Sequence, residues 1–210
     1  LKLKGSKVKA TATNDSLGYT EWTLKNGIKV VVRPSTLKAD EVIISAFAKG
    51  GKSMLSDADY FHGDYLAMVM QQSGISKFSA TELAKQLSGK SAHASVGVGA
   101  YEHAVNASGS PKDIETILQL MYLNFTAPRF DETDLQNLKN MYVPYFRNME
   151  SDPGYLMGKA FQETLYQNHV RRQATSAAQI ESLNLETLAS VHKQLFSYAE
   201  FDGYDNNDKY

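Results

Sequence analysis

The chain has 210 residues, 42% of them hydrophobic, with 22 Lys plus Arg against 23 Asp plus Glu and no cysteine. That length supports one domain burying roughly 70% of its unfolded surface, and near-neutral charge excludes a basic footprint for nucleic acid. Without cysteine there are no disulfides and no thiolate metal sites, and no apolar run is long enough for a membrane span or a signal-peptide core.

Residues 1–16 alternate lysine with small and polar residues, which reads as a linker or a loosely held edge segment. Thr20–Leu24, the turn Asn26-Gly27 and Ile28–Val32 form a hairpin signal, because Asn-Gly favours the primed turn that matches strand twist. Glu41–Lys49 is a third strand, closed by Gly50-Gly51. Ser56 then caps a helix to about Gln72 with Phe61, Tyr65, Met68 and Val69 inward, and Thr81–Leu87 makes a shorter one. Lys90–Ser108 alternates small and polar residues around Gly97 and Gly99, as two strands meeting in a turn would.

Ser110 and Pro111 open a helix whose apolar stripe is Ile114, Ile117, Leu118, Met121 and Phe125. Pro128 ends it, and Asp131 caps another with Leu135, Leu138, Tyr142, Tyr145 and Met149 on one face. Pro144 falls inside that helix and removes one backbone bond, at about 3 kcal/mol unless packing compensates. Asp152-Pro153 starts a helix to about Asn168, and Asn184 caps a last one through Leu195. The order predicts an α+β fold, a two-layer sandwich with an antiparallel-rich sheet and helices on one face. It is read as a single domain over 17–198, followed by a polar tail over 199–210 that reads as a truncation point.

Several motifs carry bland readings. Gly51-Lys52-Ser53 and Gly89-Lys90-Ser91 lack the earlier glycine of a phosphate loop, and Gly97-x-Gly99 lacks the third glycine of a dinucleotide turn. Asn106-Ala107-Ser108 and Asn124-Phe125-Thr126 match a frequent glycosylation pattern. Arg171-Arg172 reads as a solvated loop pair able to meet an acidic partner surface, and Tyr142, Tyr145 and Phe146 as core or interface. His93 and His103, with Glu102 nearby, form a partial metal site only if strand register brings them together.

The ordered blocks NGIKVVVRPS, ISAFAKGGKSM, SGISKFSATELAKQLSGKSA, PKDIETILQLMYLNFTAPRFD and NMESDPG resemble the pitrilysin/insulinase family of zinc peptidases, the inverted zincins. The resemblance implies the mitochondrial-processing-peptidase-like fold, in which two halves face each other across a substrate chamber and one carries the metal. The working half bears His-x-x-Glu-His on the helix after the Gly-Gly strand end, two histidines on one face with a glutamate to activate water. Here that helix reads DADYFHGDYLAMVMQQ, with His62 its only histidine. With His62 as first ligand, Tyr65 and Leu66 occupy the glutamate and second-histidine positions; with His62 as last ligand, Ala58 and Phe61 occupy the other two. The later long helix, whose counterpart supplies a glutamate ligand, offers no carboxylate in LKNMYVPYFRN.

The resemblance is therefore to the non-catalytic copy, the first domain of the C-terminal half. It implies no catalytic residue, metal ligand or bound cofactor in this segment, zinc in the catalytic half of the parent protein, and no assignable substrate-binding residue. The implied partners are that catalytic half, in the same chain or another, and an extended peptide substrate, with no nucleic acid. Exported bacterial members of the family suggest a periplasmic setting. The alternatives are a degenerate scaffold or assembly subunit without proteolytic role, and an independent enzyme built around His93, Glu102 and His103.

Overall fold

The computed structural model describes residues 5–197 and the backbone of 202–204. The strands are β1 (Val8–Asn14), β2 (Tyr19–Leu24), β3 (Lys29–Val32), β4 (Val42–Lys49), β5 (Ala92–Val98), β6 (Glu102–Gly109) and β7 (Asp202–Tyr204). They form one sheet in the order β1-β2-β3-β7-β4-β6-β5, antiparallel except for the β3–β7 pair. The α-helices are α1 (Tyr60–Ser73), α2 (Ala80–Gln86), α3 (Ile114–Thr126), α4 (Glu132–Met149), α5 (Pro153–Leu165), α6 (Ala177–Ser182) and α7 (Leu185–Phe196). The α+β class and antiparallel-rich sheet expected from the sequence are what the chain adopts.

The Asn26-Gly27 hairpin forms, but not through the primed turn expected: Gly27 has φ 91° while Asn26 keeps a negative φ, and Gly27 N donates to Leu24 O at 3.0 Å to close the turn. Residues 8–14, within the segment read as linker or edge, are an edge strand on β2. The segment read as a polar tail contributes β7, inserted between β3 and β4; its remaining residues lie outside those described.

Alternation along β4, β5 and β6 separates the two faces of the sheet. Val96, His103, Val105 and Ala107 are buried, whereas the neighbouring His93, Glu102 and Asn106 are exposed, because successive side chains on a strand point to opposite sides. The buried side meets α1 and α3, and the core continues through Leu66, Val69, Leu135, Leu138, Ile180 and Leu188. By contrast, residues 8–13 of β1 are all exposed, so the β1 edge projects beyond the helical layer.

Two stripes differ from the periodicity reading. In α3 the buried residues are Ile117, Leu120, Met121 and Asn124, while Leu118 is exposed, and Ser110 donates to Asp40 at 2.6 Å instead of capping. In α1 the cap position is Asp59 rather than Ser56, and Leu66 and Met70 are buried with Val69. A 3-10 turn over Pro111–Asp113 moves the start of α3, which rotates the face it presents. The α4 helix runs through Pro144 to Met149, its Asp131 cap accepting from Thr133 N at 3.0 Å.

Candidate functional site

The candidate site begins where β4 ends. Gly51 has φ 53°, and a Cβ there would lie 2.5 Å from both Glu102 N and Gly99 O, so the chain needs glycine to pass. It then makes a 3-10 turn over Gly51–Met54, clamped to the β5–β6 turn by Lys52 N donating to Gly99 O (2.9 Å) and Ser53 N to Ala100 O (2.9 Å). This clamp delivers α1 to the sheet with His62, Tyr65 and Leu66 at the positions of the His-x-x-Glu-His pattern.

Leu66 is 0% exposed and belongs to the central core. Tyr65 is half-buried, with its ring 5.0 Å from that of Phe61. His62 is buried, and its Nε2 lies 3.3 Å from Asn184 Nδ2. Since Asn184 Oδ1 accepts from Thr187 N to cap α7, the amide nitrogen is the group facing the ring. Nε2 is then the acceptor and Nδ1 carries the proton, without a well-formed hydrogen bond among the described residues. Burial holds the His62 pKa below its ordinary value; the Asp59 charge and the Ser182 carbonyl oppose that, and Lys139 adds to it.

Lys139 stands on α4, so the charge that this helix brings to His62 is a cation. The carboxylates of α4, Glu132 and Asp134, sit in its first turn. Among the described residues, no group of three or more His, Cys, Asp or Glu side chains could hold a metal ion.

Register separates the histidines of the β5–β6 hairpin. His93 is opposite Ser108 and exposed; His103 is opposite Val98 and buried on the helical face. Glu102 is on the open face at the far end of the hairpin. The structure thus corrects the partial-site reading of His93, Glu102 and His103, because strand alternation puts the two imidazoles on opposite sides. His103 Nδ1 instead accepts from Gly51 N at 3.2 Å, and its ring meets Phe196 edge-on at 5.2 Å. His192 stacks on the other side of the same cluster, 5.0 Å from Phe196, and donates from Nε2 to Asn124 O at 2.8 Å. Burial lowers the pKa of both His103 and His192.

Only one member of the Arg171-Arg172 pair is solvated: Arg172 is exposed, whereas Arg171 is held. Arg171 binds Asp57 at 2.6 Å and Leu55 O at 2.9 Å, and its guanidinium lies over the Tyr60 ring. Of the aromatic trio on α4, Tyr142 and Phe146 pack against the core and Tyr145 is exposed. Asn124 is buried, whereas Asn106 is exposed and accepts from Ser45 Oγ.

The other feature with functional geometry is the β5 edge. β6 pairs with one side of β5, and among the described residues no strand pairs with the other. A groove of about 110 Å³ runs beside it, walled by Leu83 and Leu87 from the α2 segment and by Met70 and Ile75 from the end of α1. Gly74 at that end has φ 87°, and a Cβ there would lie 2.3 Å from Phe78 O, which fixes the tight return that shapes the wall.

The sheet order, the α1 position after the Gly-Gly turn and the α1–α4 packing can now be compared with known proteins. No family model matches the chain. A zinc protease PQQL-like protein of Arabidopsis thaliana is 25% identical over 155 residues, covering 72% of this chain and 14% of that protein. In fold, the ferredoxin protease FusC, solved as a mutant in complex with Arabidopsis ferredoxin, superposes with TM-score 0.81 at 18% identity over 99% of this chain. The chain has a pitrilysin/insulinase-like fold. The periplasmic protease PqqL from Escherichia coli superposes at 0.78 with 19% identity over 94% of the chain. A peptidase M16 inactive domain from Pseudomonas fluorescens superposes at 0.64 with 20% identity over 84% of the chain and 43% of its own length. The chain spans about a seventh of the curated relative's length, 23% of FusC and 22% of PqqL. Its neighbours thus include whole proteases and a domain described as inactive. Among its described residues, no helix is long and apolar enough to cross a membrane.

Proposed function

We propose that this chain is a non-catalytic domain of a zinc metalloendopeptidase, the first domain of its C-terminal half, forming part of the substrate-chamber wall and docking against a metal-binding half. The observation that carries the reading is the state of α1 and α4. Leu66 is core where a second histidine ligand would stand, the His62 Nε2 lone pair is occupied by Asn184, and Lys139 approaches from the helix that would supply the third ligand. Zinc requires three protein lone pairs at about 2 Å, and this arrangement offers none that is free.

Docking is supported by α5, which has no buried residue and exposes Met157, Phe161 and Leu165 at successive helical turns, with Met141 and Tyr145 exposed on α4. Such a stripe on a domain matching less than a quarter of each larger protease is the form of an interdomain face. Retention of an extended peptide is supported by the β5 edge, whose outward backbone groups beside an apolar groove suit strand addition. Zinc would then reside in the catalytic half, and a periplasmic setting follows by analogy with PqqL.

The test is reconstitution. Purified alone, this chain is expected to hold no stoichiometric zinc and to cleave no peptide, and mixing it with the separately made metal-binding half should restore peptide binding or cleavage. Stoichiometric zinc on the chain alone, or no restoration across salt and protein concentration, would overturn the proposal.

A further inference from the structure

A second cleft, of about 400 Å³, opens between the β5–β6 turn, the start of α1 and the loop after α5. Its lining includes Ser53, Tyr60, Tyr101, Tyr166, His169 and the Arg171-Arg172 pair, and no carboxylate. We propose that this cleft binds a carboxylate of a peptide, with Arg172 as the charged anchor and the tyrosine rings flanking the adjoining residue.

Two cations beside the cleft already have acidic partners. Lys52 pairs with Asp64 and Arg171 with Asp57, and the two lie 4.6 and 5.0 Å from the Tyr60 ring centre. Arg172 is exposed, its backbone N–H donates to His169 O at 2.8 Å, and its guanidinium lies 5.2 Å from the Tyr166 ring centroid; no acidic side chain among the described residues reaches it. A guanidinium presents N–H donors in a fork that matches a carboxylate, so this one is available for an anion from outside.

The surrounding groups are donors as well. His169 Nδ1 accepts from Arg171 N at 3.2 Å, which leaves Nε2–H as the ring's donor in the neutral tautomer. Ser53 Oγ is engaged with Gly50 O, and the phenols of Tyr101 and Tyr166 complete a rim that is aromatic and rich in O–H and N–H. Tyr101 is 76% exposed, yet its backbone is fixed because its carbonyl accepts from Gly50 N at 2.7 Å. The cleft is therefore anchored on both sides before anything enters.

One guanidinium in the cleft lacks an acidic partner among the described residues, and in a chain of net charge −1 that suits a single carboxylate rather than a polyanion. A cleft of this volume admits a side chain with its flanking backbone, not a folded surface. This inference does not rest on the peptidase reading, since the chain can bind a peptide here whether or not its parent cleaves one.

The test is fluorescence polarisation with the 210-residue chain and labelled hexapeptides that differ only at one Glu-Phe or Gln-Phe pair, each with a free or an amidated C-terminus. An at least tenfold preference for one carboxylate-bearing form is expected, the arm that shows it telling a side-chain from a terminal carboxylate. Arg172→Gln should reduce that form to the affinity of its neutral counterpart and leave the neutral peptide unchanged, with Arg172→Lys between them and all melting temperatures unaltered. Equal affinity for all peptides, no binding up to millimolar concentration, an unaltered preference in Arg172→Gln, or displacement by inorganic phosphate at lower concentration than by acetate would each overturn the assignment.

Discussion

Rebuilding the motif tests why α1 holds no metal. The double substitution Tyr65→Glu with Leu66→His writes His-x-x-Glu-His onto α1 in the register that starts at His62. Leu66 is fully buried in the core to which α4 and α7 also contribute, so removing its side chain alone costs about 2–5 kcal/mol. An imidazole placed there must also lose hydration without a partner, adding about 1–3 kcal/mol. The sum is a large share of the roughly 5–15 kcal/mol that holds a typical domain together, and for a chain of this size it lowers the melting temperature by about 10 °C or more. Zinc should not repair the loss: the graft supplies two histidines, α4 still presents Lys139, and His62 Nε2 remains bonded to Asn184. Circular-dichroism melts with and without equimolar zinc read the result. A double variant that melts with the parent chain, or one that zinc restores fully, would refute the packing argument.

Two further outcomes follow from groups the structure buries. His62, His103 and His192 all have lowered pKa values through burial; each folded pKa lies below that of the unfolded chain, so below about pH 6.5 the unfolded state binds more protons and stability falls as pH falls. Urea midpoints should drop between about pH 7 and about pH 5 with uptake of up to three protons on unfolding, and His192→Gln should flatten the slope; a midpoint that rises on acidification would contradict this. In the β5–β6 hairpin, Gly109→Ala would put a Cβ 1.9 Å from Ser91 O, whereas at Gly97 the nearest atom is 3.9 Å away. The first should cost about 3 kcal/mol and the second no more than about 1 kcal/mol, and equal urea midpoints for the two would show that the strand shifts freely.

The parts of this structure legible in the sequence are those fixed by neighbours along the chain. The Asn26-Gly27 hairpin, the Asp131 and Asn184 caps and the Gly50-Gly51 turn each depend on residues within a few positions, and each forms. The α6 helix escapes a periodicity reading although Ser176 and Gln179 make a capping box, because six residues carry too little periodicity to register. What lies beyond reach is pairing at long separation. Asn184 reads as a cap, and nothing local announces that its amide also meets His62, 122 residues away. Nothing near Lys139 in the sequence announces its charge effect on His62, which arises only when α4 is laid against α1. The same limit applies to His93 and His103, whose separation onto two faces requires the strand register.

These long-range pairings change the meaning of the missing ligands. A helix that had merely lost two ligands would leave a polar hollow between α1 and α4, and a few substitutions could refill it. Here the position after Tyr65 belongs to the core, the remaining imidazole is tied to the cap of α7, and the facing helix supplies a cation. Each change by itself opposes metal, and the first two also stabilise a neighbouring element, so reversing one leaves the others in place and adds an uncompensated buried group. A stepwise return to coordination must therefore pass through less stable intermediates. By this reasoning Leu66→His alone should be less stable than Lys139→Glu alone, and a Tyr65→Glu/Leu66→His/Lys139→Glu triple variant that binds zinc with no loss of stability would show that the coupling does not exist.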